Sequence, residues 1–162
     1  MALNSIGEYV AAIEEAGELV RIRQPVSVKL EMCEIADRVM KRPGGGPALL
    51  FEHPLLDDGS RSVFPVAVNL FGSMSRMALA LGARDLDEPG RRIDELLQMT
   101  KVPDGLMGKL ALLPRLLEVA KFPPRAHRGG APPCQEVVWQ GTQIDLRKLP
   151  VMTTWPEAEA RR

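Results

Sequence analysis

The sequence predicts an α/β domain, a mixed sheet with packed helices, and three observations carry that prediction. Apolar stripes at helical spacing alternate with short uncharged or alternating runs of strand length. Phe64–Leu70 carries no charge, as in a strand with both faces covered, and a compact helical pattern follows at once. The chain of 162 residues with 45% hydrophobic content has enough apolar material for one domain, or one domain plus a piece of another.

Ser5 and Glu8 have capping-box spacing, Ile6, Tyr9, Val10 and Ile13 form a stripe, and Gly17 ends the first helix. Leu19–Arg23 alternates apolar with charged and reads as a strand near an edge or with one wet face, limited by Pro25. A second helix is predicted from about Leu30 to Met40, with Met32, Ile35, Ala36, Val39 and Met40 on one face. Arg42-Pro43 and Gly44–Gly46 break it. Ala48–Phe51 is a buried strand, His53–Ser62 a polar turn and Phe64–Leu70 the next strand. Gly72 permits a turn that a side chain would obstruct, and Ser73 or Ser75 caps a helix. Met74, Met77, Ala78 and Leu81 share one face of that helix, and Gly82 stops it.

Beyond Gly82, Asp85–Glu88 and Pro89 suit a helix start, and Ile93, Leu96 and Leu97 make a stripe as far as Pro103. Leu106–Lys121 is leucine-rich, with Leu110, Leu113 and Leu117 on one face and Pro114 as a kink. Such a helical hairpin commonly covers a sheet face. The Pro/Gly-rich linker 122–134 divides an amino-terminal domain, residues 1–121, from a tail, residues 135–162. In the tail, Glu136–Trp139 and Ile144–Leu146 alternate around Gln140-Gly141-Thr142 in a hairpin-like pattern. Pro150 and Pro156 bracket one more extended piece. Two or three strands without a sheet are marginal, so the tail is expected to be mobile or to borrow a partner.

Composition excludes several classes. Lys+Arg and Asp+Glu balance at 21 each, and aromatics are 4%, so neither a basic field nor a stacking surface for nucleic acid is present. No apolar run reaches membrane-spanning length, and the first residues lack a basic region followed by an apolar core. Cys33 and Cys134 lie far apart in unrelated contexts. A cytoplasmic setting is expected.

Several residues invite chemistry. Gly44–Gly46 suggests a phosphate loop but follows a helix and precedes a strand, so a flexible helix stop is the better reading. Asn69–Ser75 has the strand-to-helix geometry for an anion, set against a purely structural turn and cap, and no Lys or Arg follows as in a P-loop. His53 and His127 are loop histidines, Cys33 a small core residue, Cys134 a thiol without an activating neighbour. Trp139 and Trp155 read as packing anchors, and Arg125 and Arg128 as solvated charges. No convergent acid–base set is present.

Taken in order, the segments Glu8–Ile22, Glu34–Lys41, Pro47–Pro54, Phe64–Gly82 and Cys134–Glu157 resemble the amino-terminal part of the UbiD family of reversible decarboxylases, which includes the polyprenyl-hydroxybenzoate carboxy-lyases. Asn69–Ser73 and Arg76–Gly82 match the NLFGS…RMALALG segment of that family's amino-terminal α/β domain. Cys134–Leu149 and Trp155-Pro156-Glu157 match the start of its central split β-barrel. The resemblance implies decarboxylation of an aromatic or α,β-unsaturated acid. It also implies prenylated FMN, manganese and a monovalent cation in the full-length family, with the modified flavin as electron sink. The family's metal-binding Asn and Glu and its Glu–Arg–Glu set follow the Trp-Pro segment. The resemblance therefore assigns no catalytic, cofactor-binding or metal residue to this chain, and no cofactor to this chain alone. Implied partners are the remaining decarboxylase domains or a homologous subunit, with homo-oligomerisation in the full-length form. The ending after Trp155-Pro156 departs from the family pattern, and residues 135–162 read as the first strands of an incomplete barrel. Truncation, a natural fragment, a shifted frame and a separately encoded subunit all remain open. The alternative function is a stand-alone, non-catalytic assembly or regulatory module on the same fold.

Overall fold

A computed structural model describes residues 3, 5–98 and 128–156. Two compact units contain them. One holds the described residues of Met1–Leu86 and Asp145–Arg162, the other those of Asp87–Ile144.

The first unit is built on a three-stranded sheet. Helix α1 (Ile6–Glu15) leads to strand β1 (Leu19–Ile22), and short β2 (Val26–Ser27) leads to helix α2 (Glu31–Met40). Then come β3 (Ala48–Phe51), β4 (Pro54–Leu55), β5 (Val66–Val68) and helix α3 (Met74–Ala80). The sheet order is β1-β3-β5, and β2 pairs with β4 in a separate ribbon. β1 runs parallel to β3 and β5 antiparallel to it, so the sheet is mixed, as expected.

The central strand organises the core. All four residues of β3 are buried. Side chains along a strand alternate between faces. Leu49 and Phe51 therefore join Val26, Val28, Met32 and Val39 beneath α2, while Ala48 joins Tyr9 and Ile13 of α1, with Leu79 and Ala80 of α3 against them. Two small cores thus lie on opposite faces of one strand.

Local chemistry sets the element ends. Ser5 Oγ accepts from the Glu8 amide at 3.1 Å to start α1, and Gly17, at φ 74°, follows its end. β5 is shorter than predicted. Phe64 is tied into a turn through its amide to Ser62 Oγ, and Asn69, at φ 57°, ends the strand. As an edge strand its residues are half-buried rather than covered on both faces. The segment expected as a polar turn contains β4, whose partner β2 was likewise unanticipated.

The predicted apolar face of α3 holds only at Ala78. Met74 and Leu81 are 73% and 59% exposed, while Arg76 and Ala78 are buried. The helix is rotated because the guanidinium finds partners inside, as described below.

The predicted hairpin does not form. Among the described residues, 128–144 contain no strand. The Gln140 amide donates to Gln143 Oε1 at 3.2 Å within a capping box, which closes Gly141–Gln143 into a 3-10 turn where paired strands would need an open ladder. Val137 and Val138 are exposed. This second unit also contains α4 (Asp87–Gln98), with an ion pair between Arg92 and Glu88 at 3.3 Å. Leu106–Lys121, and residues 122–127 of the predicted linker, lie outside the described residues.

The end of the described chain is fastened rather than loose. The Thr153 amide donates to Val28 O at 3.0 Å and the Leu30 amide to Thr153 O at 3.1 Å, forming a parallel bridge of Lys29 with Thr153. Met152 packs against the α2-side core. Among the described residues no helix is long and apolar enough to cross a membrane.

Candidate functional site

The segment with most conspicuous polar content, Asn69–Arg76, is where two loops and α3 meet. Asn69 leaves β5 in the left-handed region, which asparagine tolerates better than most residues. That conformation carries its side chain back across the Gly44–Gly46 loop. Its Nδ2 donates to Gly45 O at 2.7 Å and Pro47 O at 2.9 Å, using both amide hydrogens.

The glycines here are required by close packing. A Cβ on Gly72 would lie 1.9 Å from Asn69 Oδ1. A Cβ on Gly45 would lie 1.8 Å from Gly72 O, and one on Gly46 2.2 Å from Val39 O. Gly45 and Gly46 also have φ of 82° and 60°. Gly45 and Gly46 are therefore tightly seated at a crossing rather than part of a flexible helix stop, while Gly44 has open space around it. Gly72 does make room, as predicted.

Arg76 closes the arrangement. Its residue exposure is 2%, yet Nη2 donates to Gly46 O at 2.8 Å and Nη1 to Glu18 Oε2 at 2.7 Å. Nε is buried with no hydrogen-bond partner among the described residues. Glu18, at the foot of β1, also accepts from Ser73 Oγ at 2.8 Å and Ser75 Oγ at 2.6 Å. Ser73 Oγ in turn accepts from the Arg76 amide at 3.2 Å as the helix cap. The Ser75 hydroxyl, with Ser73 and Arg76 behind it, holds the Glu18 carboxyl below its ordinary range.

Tyr9 completes the network from α1. Its hydroxyl lies 2.9 Å from Leu70 O and 2.8 Å from Arg76 O, and its ring stacks on Phe71 at 5.5 Å. Burial pushes the phenol up, with the Glu18 charge adding to that and Arg76 opposing it.

Two hydroxyls and a guanidinium converging at a helix start make the donor set of an anion site. Here the anion is the protein's own Glu18. These side-chain groups are taken up in joining α1, β1, the glycine loop and α3.

The other singled-out residues do not converge. His53 is half-buried beside β4, and His127 and Arg125 lie outside the described residues. Cys33 is half-buried on α2, its thiol pushed up by burial, and Cys134 is exposed. Trp139 is half-buried, but Trp155 is 73% exposed and is no packing anchor. It lines an open groove with Leu30, Cys33, Met40, Val68 and Met152. Among the described residues no group of three or more His, Cys, Asp or Glu side chains is placed to hold a metal.

Sequence reasoning missed the roles of Glu18 and Tyr9, and gave Arg76 none. The clue for Arg76 was a single charge inside the otherwise uncharged run Met74–Leu81. Glu18 gave no clue, since a carboxylate after a helix-ending glycine is ordinarily solvated. The family model described as the 3-octaprenyl-4-hydroxybenzoate carboxy-lyase N-terminal domain matches residues 10–97, more than half of the 162-residue chain and most of this network.

Proposed function

The chain belongs to the UbiD carboxy-lyase family through that amino-terminal domain, and from this membership we propose that it is the scaffold part of an enzyme that decarboxylates an aromatic or α,β-unsaturated acid. In this reading its own residues hold architecture and carry no step of the reaction. The observation that supports it is the filled anion site: Ser73, Ser75 and Arg76 all bond Glu18.

Prenylated FMN would bring a phosphate that needs such donors, and manganese would need clustered carboxylates or imidazoles. The described residues do not fit either group, because the phosphate-type donors are occupied by Glu18 and the acidic side chains are dispersed. The flavin, the metal and the acid substrate are accordingly assigned to the domains that follow in the family. The partner of this chain is that remainder of the decarboxylase.

The test is to incubate the purified chain with prenylated FMN and manganese, pass it through gel filtration and read flavin absorbance. The expected result is no retained flavin, with retention appearing in a fusion to a family barrel. Stoichiometric flavin on the chain alone would overturn the scaffold reading.

A further inference from the structure

Leu30 stands out among the described residues as one of only two non-glycine residues with positive φ. Unlike Asn69, it has no polar side chain to stabilise that conformation locally. Its φ of 65° and ψ of −37° accompany a hydrogen bond from the Glu31 amide to Lys29 O at 2.8 Å. That is a three-residue γ-turn of the positive-φ kind, which is rare and strained. It sits immediately before α2, as the cap residue of a helix with no side-chain cap bond at that end.

Strained conformations persist where surrounding contacts over-determine them. Here the contacts come from two directions. Within the turn, the Ser27 amide donates to Glu31 Oε2 at 2.8 Å and the Lys29 amide to Ser27 Oγ at 3.0 Å. Across the turn, Thr153 brackets it, accepting from the Leu30 amide and donating to Val28 O. The second set is supplied by a segment more than a hundred residues away in sequence.

We propose that Leu30 is a strained joint whose positive φ is maintained by the docked segment 151–155, so that docking of this segment and the geometry of the α2 start are one coupled equilibrium. When Thr153 withdraws, the Leu30 amide loses its acceptor and the residue relaxes to a negative φ, which changes the first turn of α2. Leu30 and Cys33 from that turn line the same groove as Met152 and Trp155, so the groove exists in the docked state only. The proposal concerns this chain's own residues and stands apart from the scaffold reading above.

The experiment is NMR on the full chain. In the unaltered protein Leu30 should give the strong intraresidue HN–Hα cross-peak of a positive φ. Thr153→Pro removes the donor to Val28 O while leaving Met152 extended, as a residue before proline prefers. In T153P the strong Leu30 cross-peak is expected to disappear, and its persistence would overturn the joint. A second pair keeps the test decisive if T153P does not fold. Leu30→Ala keeps a Cβ and its strain, whereas Leu30→Gly removes both. The Thr153 amide should exchange with solvent about tenfold more slowly in L30G than in L30A, equivalent to about 1.4 kcal/mol. Gly being merely the better helix cap would protect α2 amides without touching Thr153, and equal Thr153 exchange in the two variants refutes the coupling.

Discussion

Replacing Gly72 with alanine adds one carbon, and two physical accounts give its effect opposite signs. Gly72 is not at positive φ, so an argument from chain entropy alone has alanine stabilising the fold by about 0.4–1 kcal/mol. The geometry says otherwise. The added Cβ would stand 1.9 Å from Asn69 Oδ1 and 3.0 Å from Arg76 Nη2. Asn69 cannot simply swing aside, because its amide holds Gly45 O and Pro47 O. Displacing it leaves two partly buried carbonyls without that donor, at about 1–2 kcal/mol each, and so about 2–4 kcal/mol in total. For a chain of this size that corresponds to a fall in melting midpoint of roughly 5–12 °C. The assay is thermal unfolding followed by far-ultraviolet circular dichroism. Gly7→Ala serves as the matched control: its Cβ would meet nothing nearer than Ser5 Oγ at 3.8 Å, and removing a glycine from helix α1 is expected to gain about 0.5–1 kcal/mol. A G72A midpoint equal to or above the parent's refutes the steric reasoning.

Arg76→Met should destabilise by about 2–4 kcal/mol, since Glu18 loses its cation and Gly46 O its donor. In a double-mutant cycle with Glu18→Gln, measured by urea unfolding, the two losses should sum to clearly more than the double variant's, and additivity would refute the pairing. Glu18 has a folded-state pKa below its ordinary value of 4.5, so its contribution is complete above that pH and is lost as pH falls through the depressed value. Acid unfolding should show this, and E18Q should show a shallower acid limb. Tyr9 has the opposite sign: its raised phenol contributes stability below pH 10.0 that disappears as pH rises beyond it. Tyr9→Phe should lower stability at neutral pH by about 1 kcal/mol, with a flatter alkaline limb in the same titration.

Much of the fold was legible because its determinants are local. Ser5 with Glu8, the uncharged Ala48–Phe51, the alternation of Leu19–Arg23 and the Ser73 cap each state a backbone preference within a few residues. The failures divide between partners far away in sequence and local pairings that leave no hydrophobic period to read. The face of α3 was misassigned because methionine and leucine look like core, and nothing near Arg76 in sequence announces a carboxylate across the fold. The hairpin after the linker was misread because Gln140 and Gln143 bond each other across four residues. The β2–β4 pair was invisible because two-residue strands have no period to detect. The candidate site was legible in position, at Asn69–Ser75, but its filling by Glu18 was not.

The ion pair of Arg76 with Glu18 spans 58 residues of sequence, and the Tyr9 contact with Arg76 spans 67. Contacts of that separation need the intervening chain closed first, so they are expected to form late on the way to the native state. Interactions missing from the folding transition state act almost entirely on the escape rate rather than on the rate of arrival. The buried guanidinium is therefore expected to govern how long the packing of α1, β1 and α3 lasts more than how fast it is reached.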